Sequence, residues 1–280
     1  MRKLITMGKN NICSICGGVA ERKHYFQSKE WLVNRCSECS FAWVVNIVTN
    51  PIPSAFDWSA DIVNENQLRQ EMYYDRLSRI IKFNPNPINW LDIGCGGGGL
   101  LKCAKEYGYN SEGIELGPSA KIIVEEYGIK VHEKSLENVK DSLLYKKYGV
   151  VSYFHVLEHI ENPKHELMQA SELISSDGLL VVEVPFFDSL FWKILKYKHR
   201  HFYRGHVNYF NKDSLSFLLK SLGFKILSLE SVPYTMSLGW IMKRLSLNEN
   251  IFNRFISHLS KKSIKINTGE YLLSVSKKQQ

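Results

Sequence analysis

The stretch "LDIGCGGGGL", Leu91 to Leu100, decides the fold. Together with Asn89 and Trp90 before it, its apolar residues read as a short buried strand that runs into a glycine turn. Beyond the turn Leu100, Ala104 and Tyr107 recur at helical spacing until Gly108 stops the helix. A strand, a glycine turn and a helix in that order open a nucleotide-binding α/β unit. Gly94, Gly96 and Gly99 satisfy G-x-G-x-x-G, and Glu115 follows Gly94 by 21 residues, so a dinucleotide-binding reading matches in form.

Outward from this turn the alternation continues. "NSEGIEL" is a second strand, and Ala120, Ile123, Val124 and Tyr127 stripe a helix that ends at Gly128. A third strand is expected near Ile129 to His132, a fourth at "GVVSYF" from Gly149, then a helix carrying Leu167, Ala170 and Ile174. Asp177-Gly178 turns the chain into "LLVVEVP", a fifth strand. Continuously apolar strands between amphipathic helices predict a parallel sheet covered on both faces, an α/β, Rossmann-like, doubly wound fold. Upstream, Tyr73, Leu77, Ile80 and Ile81 predict a helix over about Gln67 to Phe83, stopped by "NPNP".

The exit of the fourth strand, "FHVLEHIENP" from Phe154 to Pro163, spells H-x-x-E-H, a zinc-peptidase signature. That chemistry needs His155 and His159 on one face of a helix. The β-branched and aromatic residues before them form a strand instead, and Asn162-Pro163 starts a new helix as N-cap and first turn. His155, Glu158 and His159 therefore lie on a loop at a strand end.

With 280 residues, 44% of them hydrophobic, the chain is long enough for more than one core. The first residues lack an apolar stretch of about 7–15 residues, and no apolar run reaches the roughly 20 that span a bilayer, so a cytoplasmic protein is expected. A net charge of +8 favours anionic partners or a lysine-rich solvated surface. Cys13, Cys16, Cys36 and Cys39 form C-x2-C-x19-C-x2-C, the spacing of a structural zinc ribbon. In a cytoplasmic protein a disulfide framework is the lesser alternative. The expected organisation is a ribbon over 1–45, a linker and helical lid over 46–84, and the main domain over 85–280, with insertions near 186–211 and 234–262.

The run "DIGCGGG" with Asp92, Glu115 at the end of strand two, and "YFHVLEHIENP" after strand four resemble class I methyltransferases, which bind S-adenosylmethionine (SAM). The resemblance runs from about Tyr73 to the C-terminus. It implies seven strands, with "EYLLSVSKK" as a last strand inserted antiparallel. It also implies a SAM site made of Asp92, Gly94, Cys95, Gly96, Glu115, Leu116, His155 and Glu158, with Glu115 on the ribose hydroxyls and no metal on His155 or Glu158. The N-terminal cysteines and "Y-R-G-H…YF" are similar to zinc-ribbon sugar methyltransferases, whose element reads Y-x-E-H and whose histidine is the proposed base. Tyr203 and His206 match it, and Gly205 replaces the glutamate. The departure favours O-methylation with His206 as base over C-methylation, beside a purely structural His206.

Lys196, Lys198, Arg200 and Arg204, interleaved with Tyr197, His199, His201, Phe202 and Tyr203, suit the diphosphate and base of a nucleotide-sugar, and also suit RNA. Phe187, Leu190, Phe191, Ile194 and Leu195 stripe a helix that reads as core, lid or peripheral membrane contact, and Ile251 to Leu259 repeat the theme. Three function classes remain: methylation of a sugar, nucleotide-sugar or phosphorylated metabolite in surface polysaccharide synthesis; a zinc-ribbon rRNA or tRNA methyltransferase; and an NAD-dependent oxidoreductase or non-enzymatic binding module. Oligomeric state stays open.

Overall fold

The structure, a computed structural model, describes residues 11–27, 31–47, 69–84, 86, 88–195, 199, 201–202, 205–237 and 263–279. Three strands come first: β1 (Ala20–Gln27), β2 (Trp31–Cys36) and β3 (Ala42–Ile47). After α1 (Gln70–Ile81) the alternation begins with β4 (Asn89–Ile93), α2 (Gly99–Tyr107), β5 (Asn110–Ile114), α3 (Ser119–Tyr127), β6 (Lys130–His132) and α4 (Leu136–Leu143). It continues with β7 (Tyr148–Phe154), a 3-10 turn (Leu157–His159), α5 (Pro163–Leu173), β8 (Ile174–Pro185), α6 (Leu190–Leu195), β9 (Asn208–Tyr209), α7 (Lys212–Ser221), β10 (Phe224–Ser237) and β11 (Ser263–Lys278).

The main sheet has seven strands in the order β10-β11-β8-β7-β4-β5-β6. β6, β5, β4, β7 and β8 run parallel to their neighbours, and β11 is antiparallel to both β8 and β10. The expected α/β fold and antiparallel insertion are both present. A second sheet of four strands, β1-β2-β3-β9, draws its last strand from the segment after α6. Its core is continuous with the main one: Ile15, Phe41 and Trp43 pack in one cluster with Tyr153, Leu157 and Phe210.

Several expectations change locally. Ile174 leaves the helix it was assigned to and opens β8, where its β-branched side chain is buried and its backbone pairs with Tyr148. Val124 is exposed, so the buried stripe of α3 narrows to Ala120 and Ile123. The unforeseen α4 buries Leu136, Val139 and Leu143, an i, i+3, i+7 stripe. Of the expected stripe, Phe187 is buried while Leu190, Ile194 and Leu195 are exposed and the side chain of Phe191 lies outside the description; Trp192, which the stripe left out, is buried. The six-residue α6 packs Trp192 among Phe187, His199, Phe202 and Tyr209. Of the second expected insertion, 234–237 belong to β10, paired with 263–266 of β11, and 238–262 lie outside the described residues. Most of the expected linker, 48–68, lies outside them as well.

One charged pair crosses the core. Arg76 of α1, 1% exposed, donates from Nε to Oε2 of Glu183 on β8 at 2.6 Å and from Nη2 to Oε1 at 3.4 Å. Nη2 also reaches the carbonyl of Pro233 on β10 at 2.7 Å, and Nη1 reaches Asp75 at 3.0 Å. Removing one partner of such a pair strands the other in low dielectric, at a cost of about 3–5 kcal/mol. Arg76→Ala should therefore lower the unfolding free energy by about that amount in urea denaturation. An unchanged midpoint would show that α1 does not depend on this ion pair.

Candidate functional site

The glycine turn is shaped by what surrounds it. Gly94 and Gly96 take φ of +70° and +55°, where side chains are strained. A Cβ on Gly94 would stand 2.5 Å from Val156 of the β7 exit, so the two loops touch there. Above Gly96 there is open space, and its N–H donates to Glu115 Oε2 at 2.8 Å while Gly117 N–H donates to Oε1 at 2.6 Å. Glu115 thus lies against the turn, as its place after β5 implied. Leu116 beside it is exposed.

Asp92 is buried and accepts from Ser152 Oγ at 2.6 Å, and that hydroxyl accepts in turn from Trp90 Nε1 at 2.7 Å. Burial raises the Asp92 carboxyl to about 7, against the opposing effect of the Ser152 bond. The Cys95 thiol is likewise raised by burial, which makes it a packing residue of the turn and not a nucleophile.

At the exit of β7 the sheet turns its charges inward. His155 has φ +58°, which breaks any helix through H-x-x-E-H, and a 3-10 turn of three residues follows. His155 Nε2 lies 3.1 Å from Glu183 Oε1 and Nδ1 lies 3.7 Å from Glu158 Oε1, with the edge of its ring on Tyr271. Burial alone would lower this imidazole, but the two carboxylates outweigh it and raise its pKa to about 9.

Glu158 is 1% exposed, and among the described residues neither carboxylate oxygen has a hydrogen-bond partner of normal geometry. It faces His155 and, at 3.9 Å, Nε2 of His206. Burial pushes Glu158 up, yet His155, His206 and His159 together hold it below the usual carboxylate range. His206 is buried and lowered to about 3, chiefly by burial, so its imidazole is neutral at physiological pH. It lies 4.8 Å from the His159 ring and stacks on His201 at 5.8 Å. His159 Nδ1 sits 2.7 Å from the carbonyl of Gly205, which can only accept, so this nitrogen carries the proton and the lone pair lies on Nε2 when the ring is neutral. One ligand atom from each of Glu158, His159 and His206 falls within 4.8 Å of the others, close enough to hold a cation.

The four N-terminal cysteines converge as their spacing implied. Their Sγ atoms lie within 4.8 Å of one another, with Cys13–Cys39 at 3.6 Å and Cys16–Cys36 at 3.4 Å. Zn–S bonds of about 2.3 Å in a tetrahedron need sulfurs about 3.8 Å apart. These distances are also far beyond a disulfide, and all four thiols are free.

The structure brings together Asp92, Gly94, Cys95, Gly96 and Glu115 at the turn, and His155 and Glu158 at the exit of β7 with His206 from the loop before β9. Tyr203 lies outside the described residues. Missed from the sequence were Arg76 and Glu183, although each leaves a signal: a lone charge in "LLVVEVP" and an arginine beside the apolar stripe of α1. Ser152 and Tyr271 left none, being ordinary strand residues.

Residues 65–229, more than half of the chain, match the family model described as a methyltransferase domain. The mitochondrial ubiquinone biosynthesis O-methyltransferase of Candida albicans is 28% identical over 144 residues, covering 47% of this chain and 41% of its own. That of Nitrosospira multiformis is 34% identical over 93 residues, covering 31% and 39%. This chain therefore spans about two fifths of the length of these curated relatives. Among solved structures, a SAM-dependent methyltransferase from Archaeoglobus fulgidus superposes with a TM-score of 0.56 at 23% identity, over 79% of this chain and 100% of that one. The complex of the Haloferax volcanii Trm112 methyltransferase activator with its methyltransferase gives 0.56 at 12% identity, over 82% and 100%. These two show the fold.

The raised pKa of His155 predicts a pH dependence. Its stabilising contribution is fully present below 6.5, the imidazole's ordinary value, and is lost as pH rises through about 9. Unfolding free energies measured from pH 6 to 10 should fall more steeply in the native chain than in His155→Gln; parallel curves would show that His155 is not charged in the fold.

Proposed function

Because this chain belongs to the methyltransferase-domain family, we propose that it is a SAM-dependent O-methyltransferase acting on a hydroxyl of a small-molecule acceptor, with His206 taking the hydroxyl proton. The observation that carries the reading is the buried carboxylate of Glu158, at the exit of β7 whose Val156 meets the glycine turn, beside a neutral, buried His206 from the loop before β9. The residues at the turn suit SAM. The open backbone at Gly96 can approach its amino acid part, and Glu115 can accept from ribose hydroxyls. When bound, SAM supplies an electrophilic methyl group on a sulfonium, and the protein's work is alignment and proton removal. Val156, in contact with Gly94, ties the cofactor turn to the acceptor side. The antiparallel β11 and the family match displace the NAD-dependent alternative.

Proton transfer from the acceptor to His206 would form an imidazolium that Glu158 stabilises across 3.9 Å. A histidine lowered to about 3 is a weak base, so it suits an acidic hydroxyl such as a phenol, of pKa about 10, better than an aliphatic alcohol. Hydroxylated aromatics are therefore the first acceptor class, in keeping with relatives named for ubiquinone biosynthesis. A sugar, nucleotide-sugar or phosphorylated metabolite is the second, supported by the cations of 196–204; the surface-polysaccharide setting has no support among the named relatives. No described helix is long and apolar enough to cross a membrane. The cytoplasmic location remains part of this proposal.

Glu115→Ala should weaken SAM binding in calorimetry, and unchanged affinity would remove it from the ribose site. His206→Ala should lower turnover by about 10²–10⁴ while SAM still binds, in assays with labelled SAM against a panel of phenols and nucleotide-sugars. Undiminished turnover would leave the residue structural. Metal analysis should return about one zinc per chain, held by the four cysteines. A second metal would place a cation among Glu158, His159 and His206 and replace His206 as the proton acceptor.

A further inference from the structure

His206 is held from two sides. From the main domain, Val207 N–H donates to the carbonyl of Glu158 at 2.8 Å, and Gly205 accepts from His159. From the N-terminal sheet, Val44 N–H of β3 donates to the carbonyl of Val207 at 2.9 Å, and Trp43 and Ala42 pair with Asn208 and Tyr209. β9 is two residues long, and β3 is its only partner strand among the described residues. A strand that short has no stability of its own, so its place depends on the edge that receives it.

That edge is fixed by the cysteine cluster. Cys36 ends β2, Cys39 stands three residues before Ala42, and Cys36 N–H donates to the carbonyl of Phe41, so the cluster closes the β2–β3 turn. Past β9 the same sheet is clamped again: Arg35 pairs with Asp188 at 2.9 Å, and Asp188 accepts from Asn211 Nδ2 at 3.2 Å. Tyr209 and Phe202 pack with Val33, Ala42 and Val44 in one buried cluster.

Between the two sides stands Asn208, 3% exposed. Its backbone lies in the N-terminal sheet, while its side-chain Nδ2 donates to the carbonyls of Leu157, at 3.0 Å, and Ile160, which bracket Glu158 and His159. We infer that the cysteine-closed N-terminal sheet is the support that sets His206 against Glu158, with Asn208 as the positioning residue joining the two. This rests on the reading of His206 as the proton acceptor. Asn208 itself touches no reacting atom; losing its side-chain donors removes this partner from the Ile160 carbonyl, leaves the Leu157 carbonyl with the Ile160 N–H at 3.3 Å, and frees β9 to shift. A displacement of about 1 Å at a catalytic group is enough to cost about 10² in rate.

The test is a double-mutant cycle of Asn208→Ala and His206→Ala, read by turnover, by SAM calorimetry as a check on folding, and by the NMR contact between the His206 and His159 rings, whose centroids lie 4.8 Å apart. Asn208→Ala should lower kcat by about 10² with SAM affinity unchanged, and should add nothing in the His206→Ala background. In Asn208→Ala the contact between the two rings should weaken. Cys39→Ser, which opens the β2–β3 turn, should weaken it likewise with SAM binding retained. Additive losses in kcat, or a ring contact unmoved in both variants, would overturn the inference while leaving the proton-acceptor reading intact. Undiminished turnover in His206→Ala would sink that reading instead, and the ring contact in Asn208→Ala and Cys39→Ser would then decide whether the N-terminal sheet positions the ring.

Discussion

A buried carboxylate governs this structure. Glu183 stands in the middle of β8, 1% exposed, among Leu180, Val181, Val182 and Val184, and an ionised group in such a place is tolerable only if it is paired and hydrogen-bonded. Arg76 meets it from α1 and His155 from the end of β7. Although burial pushes Glu183 up, these two cations hold it below the usual carboxylate range. The arrangement passes charge along. His155 shares its other nitrogen with Glu158, and Glu158 faces His206, so a demand made in the core of the sheet sets the chemistry at its edge.

Two kinds of support meet at that edge. The seven-stranded sheet supplies rigid strand ends, where the glycine turn after β4, the carboxylate after β5 and the histidine after β7 lie side by side because their strands are neighbours. The part of the site around His206 has no such strand beneath it. His206 sits on a connection between α6 and α7, and the second sheet supplies the missing backbone through β9. The cysteine cluster, remote in sequence, thereby bears on the part of the site that the main sheet leaves unsupported.

The electrostatics of the three histidines divide their roles. His155, between two carboxylates, is held charged; His206, enclosed but at a longer distance from one carboxylate, is held neutral. Their pKa values are pushed apart by environment alone, so two groups of one chemical kind differ in charge at neutral pH. His159, tied to Gly205, fixes the loop between them.

The sequence by itself determined the α/β class, the antiparallel last strand through family resemblance, the glycine turn with Glu115, and the cysteine quartet. Each of these is local: periodicity, a turn that needs positive φ, or ligand spacing along the chain. It also set the zinc-peptidase reading aside, because the residues before His155 have the composition of a strand. Only the tertiary structure decided that Ile174 begins β8, that Arg76 answers Glu183 across 107 positions, and that β9 joins the N-terminal sheet. It likewise decided that Trp192 of α6 packs on Phe187 and that His206, not His155, meets Glu158 and His159 within reach of one cation. Those outcomes depend on which distant groups compensate one another's desolvation, and a one-dimensional pattern carries no record of that.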